Sequence, residues 1–245
     1  MKIRVFDSPR RAARALARDV ARRIAANPRL VLGLPTGRTP IPFYRELVAL
    51  CQARRVNFSG VTTFNLDEFL GVRPQDPGSY RTFMNRKLFD HVNMASRRIH
   101  FLNGSATDLD AECERFERAI ERAGGIDLMV LGLGANGHIG FNEPGDSLAA
   151  RTHRTRLTPS TRRANAMLFG RVPAVVPREA LSMGMGTILH ARRIVLLVTG
   201  RSKARCVTRM MQGRVTPRLP ASFLQLHHDV DVWMDRAAAS GLDPA

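Results

Sequence analysis

The sequence has no long apolar run. Nowhere do its hydrophobic residues approach the roughly 18 in succession that a membrane-spanning helix requires, so no membrane partner is expected. Met1 to Asp7 lack the apolar core of a secretory signal and read instead as a first strand. Cysteine is scarce. Cys51, Cys113 and Cys206 are odd in number, far apart and at no metal-binding spacing. They argue against a disulfide framework and for buried thiols in a reducing compartment, which points to the cytoplasm. Low-complexity linkers and internal repeats are missing too, so a single domain over residues 1–245 is expected. Lysine is nearly absent, at Lys2, Lys87 and Lys203 only, and arginine therefore carries the net charge of +17.

At 44% hydrophobic and 24% charged residues the composition is that of a globular chain with a sizeable core. A basic surface attracts nucleic acid or any small anion. The first basic cluster, however, runs Arg10, Arg14, Arg18 and Arg22 at every fourth residue, opposite Ala13, Leu16, Val20 and Ile24. That spacing describes the solvated face of an amphipathic helix. No aromatic residues alternate with these arginines, and no helix-turn-helix segment is evident. No nucleic-acid partner is expected.

Apolar runs alternate with amphipathic stretches along the whole chain. Strands are expected at Ile3–Phe6, Leu30–Leu34, Val61–Leu66, Arg98–Phe101, Ile126–Leu131, Arg193–Val198 and Asp229–Met234. Helices are expected between them, the first capped by Ser8 with Pro9 at its first position, and one near Ala123 capped by Asp108. This alternation predicts an α/β fold, a mostly parallel sheet with helices on both faces. In such sheets ligands bind beyond the carboxyl ends of the strands. The residues that follow each apolar run are therefore the candidates.

Four segments qualify. Pro35-Thr36-Gly37-Arg38-Thr39-Pro40 follows the second run and opens a helix, which suits an anion. It lacks the Gly-Lys-Ser/Thr ending of a nucleotide loop and reads equally as an ordinary turn. Asn65-Leu66-Asp67-Glu68 sets two acids at a strand end, either as a general base with its neighbour or as acids at a helix start. Gly132 to Pro144 is the densest segment. Its glycines allow close backbone approach, His138 is titratable, and Glu143 is near enough to orient it. Its glycine spacing is not that of a nicotinamide fingerprint. Arg162 and Lys203 are candidate phosphate-binding cations, the latter just after a strand.

Together these segments resemble the glucosamine-6-phosphate deaminase family, within the wider glucosamine/galactosamine-6-phosphate isomerase group. The matching stretches include Leu32–Gly37 with Thr39-Pro40, Phe64–Phe69, Gly137–Pro144, and Thr161-Arg162 with Ala164-Asn165. The resemblance implies a Rossmann-like sheet, no metal and no organic cofactor. It further implies that Asp67 moves a proton between C2 and C1 of the opened sugar. His138 would open the ring with Glu143 beside it, and Gly37, Thr39, Arg162 and Lys203 would hold the phosphate. The same fold family includes 6-phosphogluconolactonases, whose histidine loop lacks the Phe141–Pro144 run. A deaminase of galactosamine 6-phosphate and a non-catalytic sugar-phosphate sensor are the other readings.

The chain departs from the family pattern in several places. Asn136 stands where many relatives have aspartate, so it can orient His138 but cannot stabilise an imidazolium. Arg38 replaces a small residue and would add a phosphate contact or narrow the entrance. The stretch Ser147–Arg156 carries His153 and Thr155 where allosteric members carry a basic pair, so activation by N-acetylglucosamine 6-phosphate is not expected. A lid is expected at about residues 151–171, and the resemblance leaves a homo-oligomer open. The tail after Trp233 is short, with Asp243–Ala245 expected to fray.

Overall fold

Ser8 breaks the chain out of its first strand. In this computed structural model, which describes residues 1–242, strand β1 covers Lys2–Phe6 and helix α1 covers Pro9–Ala26. The Ser8 hydroxyl accepts the Arg11 N–H at 3.3 Å, and Pro9 occupies the first turn, as the sequence suggests. The remaining alternation follows in order: β2 (Val31–Leu34), α2 (Ile41–Gln52), β3 (Thr62–Asn65), β4 (Asp67–Phe69), α3 (Tyr80–Lys87), β5 (Ile99–His100) and α4 (Leu109–Arg122). Asp108 caps α4 by accepting the Ala111 N–H at 2.9 Å. Then come β6 (Leu128–Gly132), β7 (His153–Arg156), α5 (Pro159–Asn165), β8 (Glu179–Ser182), α6 (Met185–Leu189), β9 (Ile194–Val198), α7 (Ala204–Gln212), β10 (Val230–Asp235) and α8 (Arg236–Ala239). The fraying proposed for Asp243–Ala245 lies outside the described residues.

Seven strands form one parallel sheet in the order β1-β10-β9-β6-β2-β3-β5. Alternating side chains explain why the central strands β2, β6 and β9 are apolar throughout. Leu128 and Val130 of β6 join a core with α1 and α2, and Met129 and Leu131 join the opposite core with α4 and α7. Helices thus cover both faces, as the alternation predicts. The chain leaves β2 for β3 and β5 on one side, then returns to β6 on the other. That reversal opens a crevice between the carboxyl ends of β2 and β6, where open α/β sheets place their ligands.

A second sheet was not foreseen. β4, β8 and β7 pair antiparallel in that order, Asp67 opposite Ser182 and His153 also opposite Ser182. These strands are short, and β7 (His-Arg-Thr-Arg) has no apolar residue. The β4–β8 pairing joins segments more than a hundred residues apart, which local patterning does not register. This sheet takes up His153–Arg156, so the early part of the expected lid is a strand. The rest is α5 and the turn Ala166–Phe169, which border the crevice.

Candidate active site

The carboxyl ends of β2, β3, β6 and β9 converge on a cavity of about 360 Å³. On one side it is lined by Pro35 to Pro40. Two bonds hold this loop in place: the Tyr44 hydroxyl donates to the Pro35 carbonyl, and Asn65 Nδ2 donates to the Leu34 carbonyl at 3.0 Å. Gly37 has φ of +95°, a turn that side chains resist, and it bends the loop toward the N-terminus of α2. Lys203 faces this loop from the turn after β9, beside Ser202. Burial lowers the pKa of the Lys203 ammonium, Cys206 opposes that, and the charge of Arg38 lowers it further. Among the described residues neither Arg38 nor Lys203 has a carboxylate partner. Two unpaired cations and a helix N-terminus facing one cavity make an anion site.

Asp67 opens β4 and points into the same cavity. It is 5% exposed, and its Oδ1 has no hydrogen-bond partner. Burial, then the adjacent Glu68 charge, raises its pKa from 3.8 to about 8 against the lowering effect of the Thr36 hydroxyl. Strand alternation sends Glu68 the opposite way. Its carboxylate accepts the Tyr80 N–H at 3.0 Å, the Arg81 N–H at 3.1 Å and the Ser79 hydroxyl at 2.8 Å at the start of α3. Burial raises the Glu68 pKa in spite of these bonds. The sequence left this acid pair open between a base and a helix-start pair; the fold separates the two. Asp67 is free in the cavity, and Glu68 anchors a helix that lies later in the chain.

The loop after β6 supplies His138. Gly134 lies against the flat of its imidazole, where any Cβ would overlap the ring. Glu143 Oε2 is 3.6 Å from His138 Nδ1 and accepts from Asn136 Nδ2 at 2.8 Å. Asn136 Oδ1 in turn accepts the His138 backbone N–H at 3.2 Å. Burial would raise the Glu143 carboxyl, but the His138 hydrogen bond and charge outweigh it, joined by Thr161 and Asn136, and hold its pKa at about 2. The other Glu143 oxygen accepts the backbone N–H and hydroxyl of Thr158, both at 3.2 Å. Thr158 is the N-cap of α5, and the Thr161 hydroxyl of that helix shares a hydrogen bond with His138 Nδ1 at 3.3 Å. One carboxylate therefore ties the histidine loop to α5.

Of the residues singled out in the sequence, Gly37, Arg38, Thr39, Asp67, His138 and Lys203 line the cavity. Asn136 and Glu143 stand directly behind His138. Arg162 is not brought in. Its guanidinium turns away from the cavity and donates to the carbonyls of Pro173, Ala174 and Val176 at 3.0–3.1 Å. A cation in a chain rich in arginine carries no sequence mark of which way it points. Sequence reasoning missed Ser202, Thr158, Thr161 and the bond from the Tyr80 hydroxyl to Asn165 Oδ1 at 2.9 Å. The Thr158-Pro159 pair, a cap followed by proline, was the available signal for α5.

Residues 7–233 match the family model for glucosamine-6-phosphate isomerases/6-phosphogluconolactonase. A glucosamine-6-phosphate deaminase of Thermoanaerobacter sp. (strain X514) is 43% identical over 240 residues, covering 98% of this chain and 94% of the relative. Glucosamine-6-phosphate deaminase 1 of Bacillus subtilis (strain 168) is 46% identical over 224 residues, covering 91% and 92%. A solved structure described as a monomeric glucosamine-6-phosphate deaminase superposes with a TM-score of 0.95 at 44% identity, covering 98% of this chain and 100% of that one.

Proposed function

Because this chain belongs to the family of glucosamine-6-phosphate isomerases and 6-phosphogluconolactonases, we propose that it is an enzyme that converts glucosamine 6-phosphate and water to fructose 6-phosphate and ammonia. The observation that carries this reading is the juxtaposition in one cavity of a buried carboxyl whose Oδ1 has no partner, Asp67, and an imidazole held by a carboxylate, His138 with Glu143. A sensor needs neither group.

The phosphate sits against the loop at Gly37 to Thr39 and against Lys203, with Arg38 adding a second cation. His138 moves a proton at the ring oxygen and opens the pyranose. Glu143, ionised at any working pH, keeps the imidazole oriented. Asp67 then takes the proton from C2 and returns it to C1. That step needs a carboxylate, whereas burial and the Glu68 charge keep Asp67 protonated up to about pH 8. The protonated amine on C2 supplies the missing charge, because a cation beside a buried carboxyl lowers its pKa. The substrate thus generates its own base, and a sugar phosphate without the amine does not. The imine formed on rearrangement adds water at C2 and releases ammonia.

The Phe141–Pro144 run favours deaminase over lactonase for a structural reason. Asn142 Nδ2 donates to the carbonyls of Ile139 and Met183 at 2.9 and 2.8 Å, and Phe141 packs on Phe69 and Tyr80. This anchorage sets Glu143 under His138. The site is complete within one chain, so the reading requires no oligomer, and the relative described as monomeric supports a single-chain enzyme. No helix among the described residues is long and apolar enough to cross a membrane; a cytoplasmic enzyme is the accompanying reading. The segment of the lid that would move is α5 with the turn after it. Arg162 reaches a phosphate only by releasing its three carbonyls.

The test is ammonia release by the purified protein from glucosamine 6-phosphate, with galactosamine 6-phosphate and 6-phosphogluconolactone in parallel. Ammonia from the first substrate is expected. Turnover of the lactone alone would overturn the roles given to Asp67 and His138.

A further inference from the structure

At the far edge of the main sheet, by the amino end of β3, a second hollow of about 390 Å³ lies against β5 and the last turn of α4. Thr62, Arg97, Arg98, His100 and Arg122 line it, with Ala119 of α4 and Ala123 at its cap. No carboxylate lines it, and among the described residues Arg97, Arg98 and Arg122 form no salt bridge. Their neighbours on α4 do: Arg115 pairs with Glu112 at 2.6 Å and Arg118 with Glu114 at 2.9 Å. Arg98 donates from Nη1 to the Thr62 hydroxyl at 3.3 Å, yet its buried Nε has no partner. The carbonyls at the end of α4 are not the missing acceptors. Those of Ala119, Ile120 and Glu121 take the N–H groups of Ala123, Gly125 and Gly124.

His100 is fixed in place, stacked on Phe64 at 4.5 Å with the planes 11° apart. Burial, then the charges of Arg115, Arg122 and Arg81, lowers its pKa. A concave surface lined by one sign of charge concentrates counter-ions. Guanidinium groups bind phosphate through paired N–H donors. The ring that could have stacked on a nucleobase is already covered by Phe64, and the hollow is bounded by α4. Both features favour a single small anion over a nucleic-acid strand.

We propose that this hollow is a second anion site, separate from the catalytic cavity, which binds inorganic phosphate or a phosphate monoester through Arg97, Arg98 and Arg122. The site lies at the amino ends of the strands, opposite the catalytic crevice at their carboxyl ends, and it stands independently of the catalytic reading. Calorimetric titration with inorganic phosphate tests it, at an ionic strength held constant with chloride. The wild-type protein, the Lys203→Gln variant and the Arg97→Gln/Arg122→Gln variant are compared. Two phosphates are expected on the wild type, one on the arginine variant, and on Lys203→Gln one at wild-type affinity with the other weakened about ten-fold. The double variant keeps its KM for glucosamine 6-phosphate within about two-fold, as expected for a change remote from substrate. Where the double variant does not fold, Arg122→Gln alone weakens this site about ten-fold, the loss of one hydrogen-bonded charge. Wild-type stoichiometry in the folded arginine variant, or no phosphate bound to Lys203→Gln up to about 10 mM, overturns the proposal. Selective binding of nucleic acid with no phosphate site would overturn it as well.

Discussion

Replacing Asp67 with asparagine should abolish turnover and make the protein more stable, and the gain should grow with pH. The reason is the pKa of the buried carboxyl, raised from 3.8 to about 8. Between those values the folded protein holds a proton that the unfolded chain has released, so stability falls as pH rises through this window. Below pH 3.8 both states are protonated and the penalty vanishes; above about 8 it is complete. Each pH unit inside the window costs about 1.4 kcal/mol, so the penalty at pH 7 reaches ~4 kcal/mol as an upper bound. Relaxation and water entry reduce such penalties, which leaves a gain of about 1–3 kcal/mol for the uncharged variant. For a chain of this size each kcal/mol moves Tm by about 2–4 °C. Thermal unfolding of both proteins at pH 5, 7 and 8.5, beside ammonia release, reads the effect. A Tm gain that is the same at all three pH values, or a variant less stable than wild type at pH 8.5, would refute the reasoning.

Glu143→Gln removes the charge facing His138 and one of two acceptor oxygens, and a fall in kcat of about 100-fold or more is expected. The wild-type carboxyl, held at about 2, gives no acid limb near pH 4.5, and a kcat/KM profile with such a limb would contradict it. Lys203→Gln is expected to raise KM about ten-fold with little change in kcat, as for a contact made equally in ground and transition states; steady-state kinetics distinguish this from loss of kcat. Arg162→Ala releases the three carbonyls between Pro173 and Val176, so limited proteolysis should cut faster in residues 166–176, and an unchanged cleavage rate would show that these bonds do not hold the segment. N-acetylglucosamine 6-phosphate is expected not to activate. Arg154 and Arg156 of β7 face Glu179 at 2.6 and 3.8 Å, leaving no free basic pair there; a Hill coefficient above one that falls with this ligand would refute it.

The main sheet was legible because its central strands are buried on both faces. Continuous apolar runs such as Leu128–Leu131 therefore mark them without help from distant residues. The helix starts at Ser8 and Asp108 were legible because capping is a contact across three residues. The order of apolar strand and polar loop also located the candidate residues, since such sheets place ligands at one end.

Tertiary structure decided the rest. The second sheet unites β4, β7 and β8 from distant parts of the chain, and strands of three or four residues are too short to carry a periodic signal. Adjacent acids at Asp67 and Glu68 look alike in sequence. Only the fold leaves one with an unpaired oxygen in a cavity and gives the other three donors at the start of α3. Arg162 and Arg38 are likewise equal as letters, and the backbone turns one to carbonyls and the other to the cavity. The sequence by itself determined which residue types stand at the ends of the strands, because burial and capping act locally. Their protonation and their partners depend on groups far away in the chain, and those distances exist only once the chain has folded.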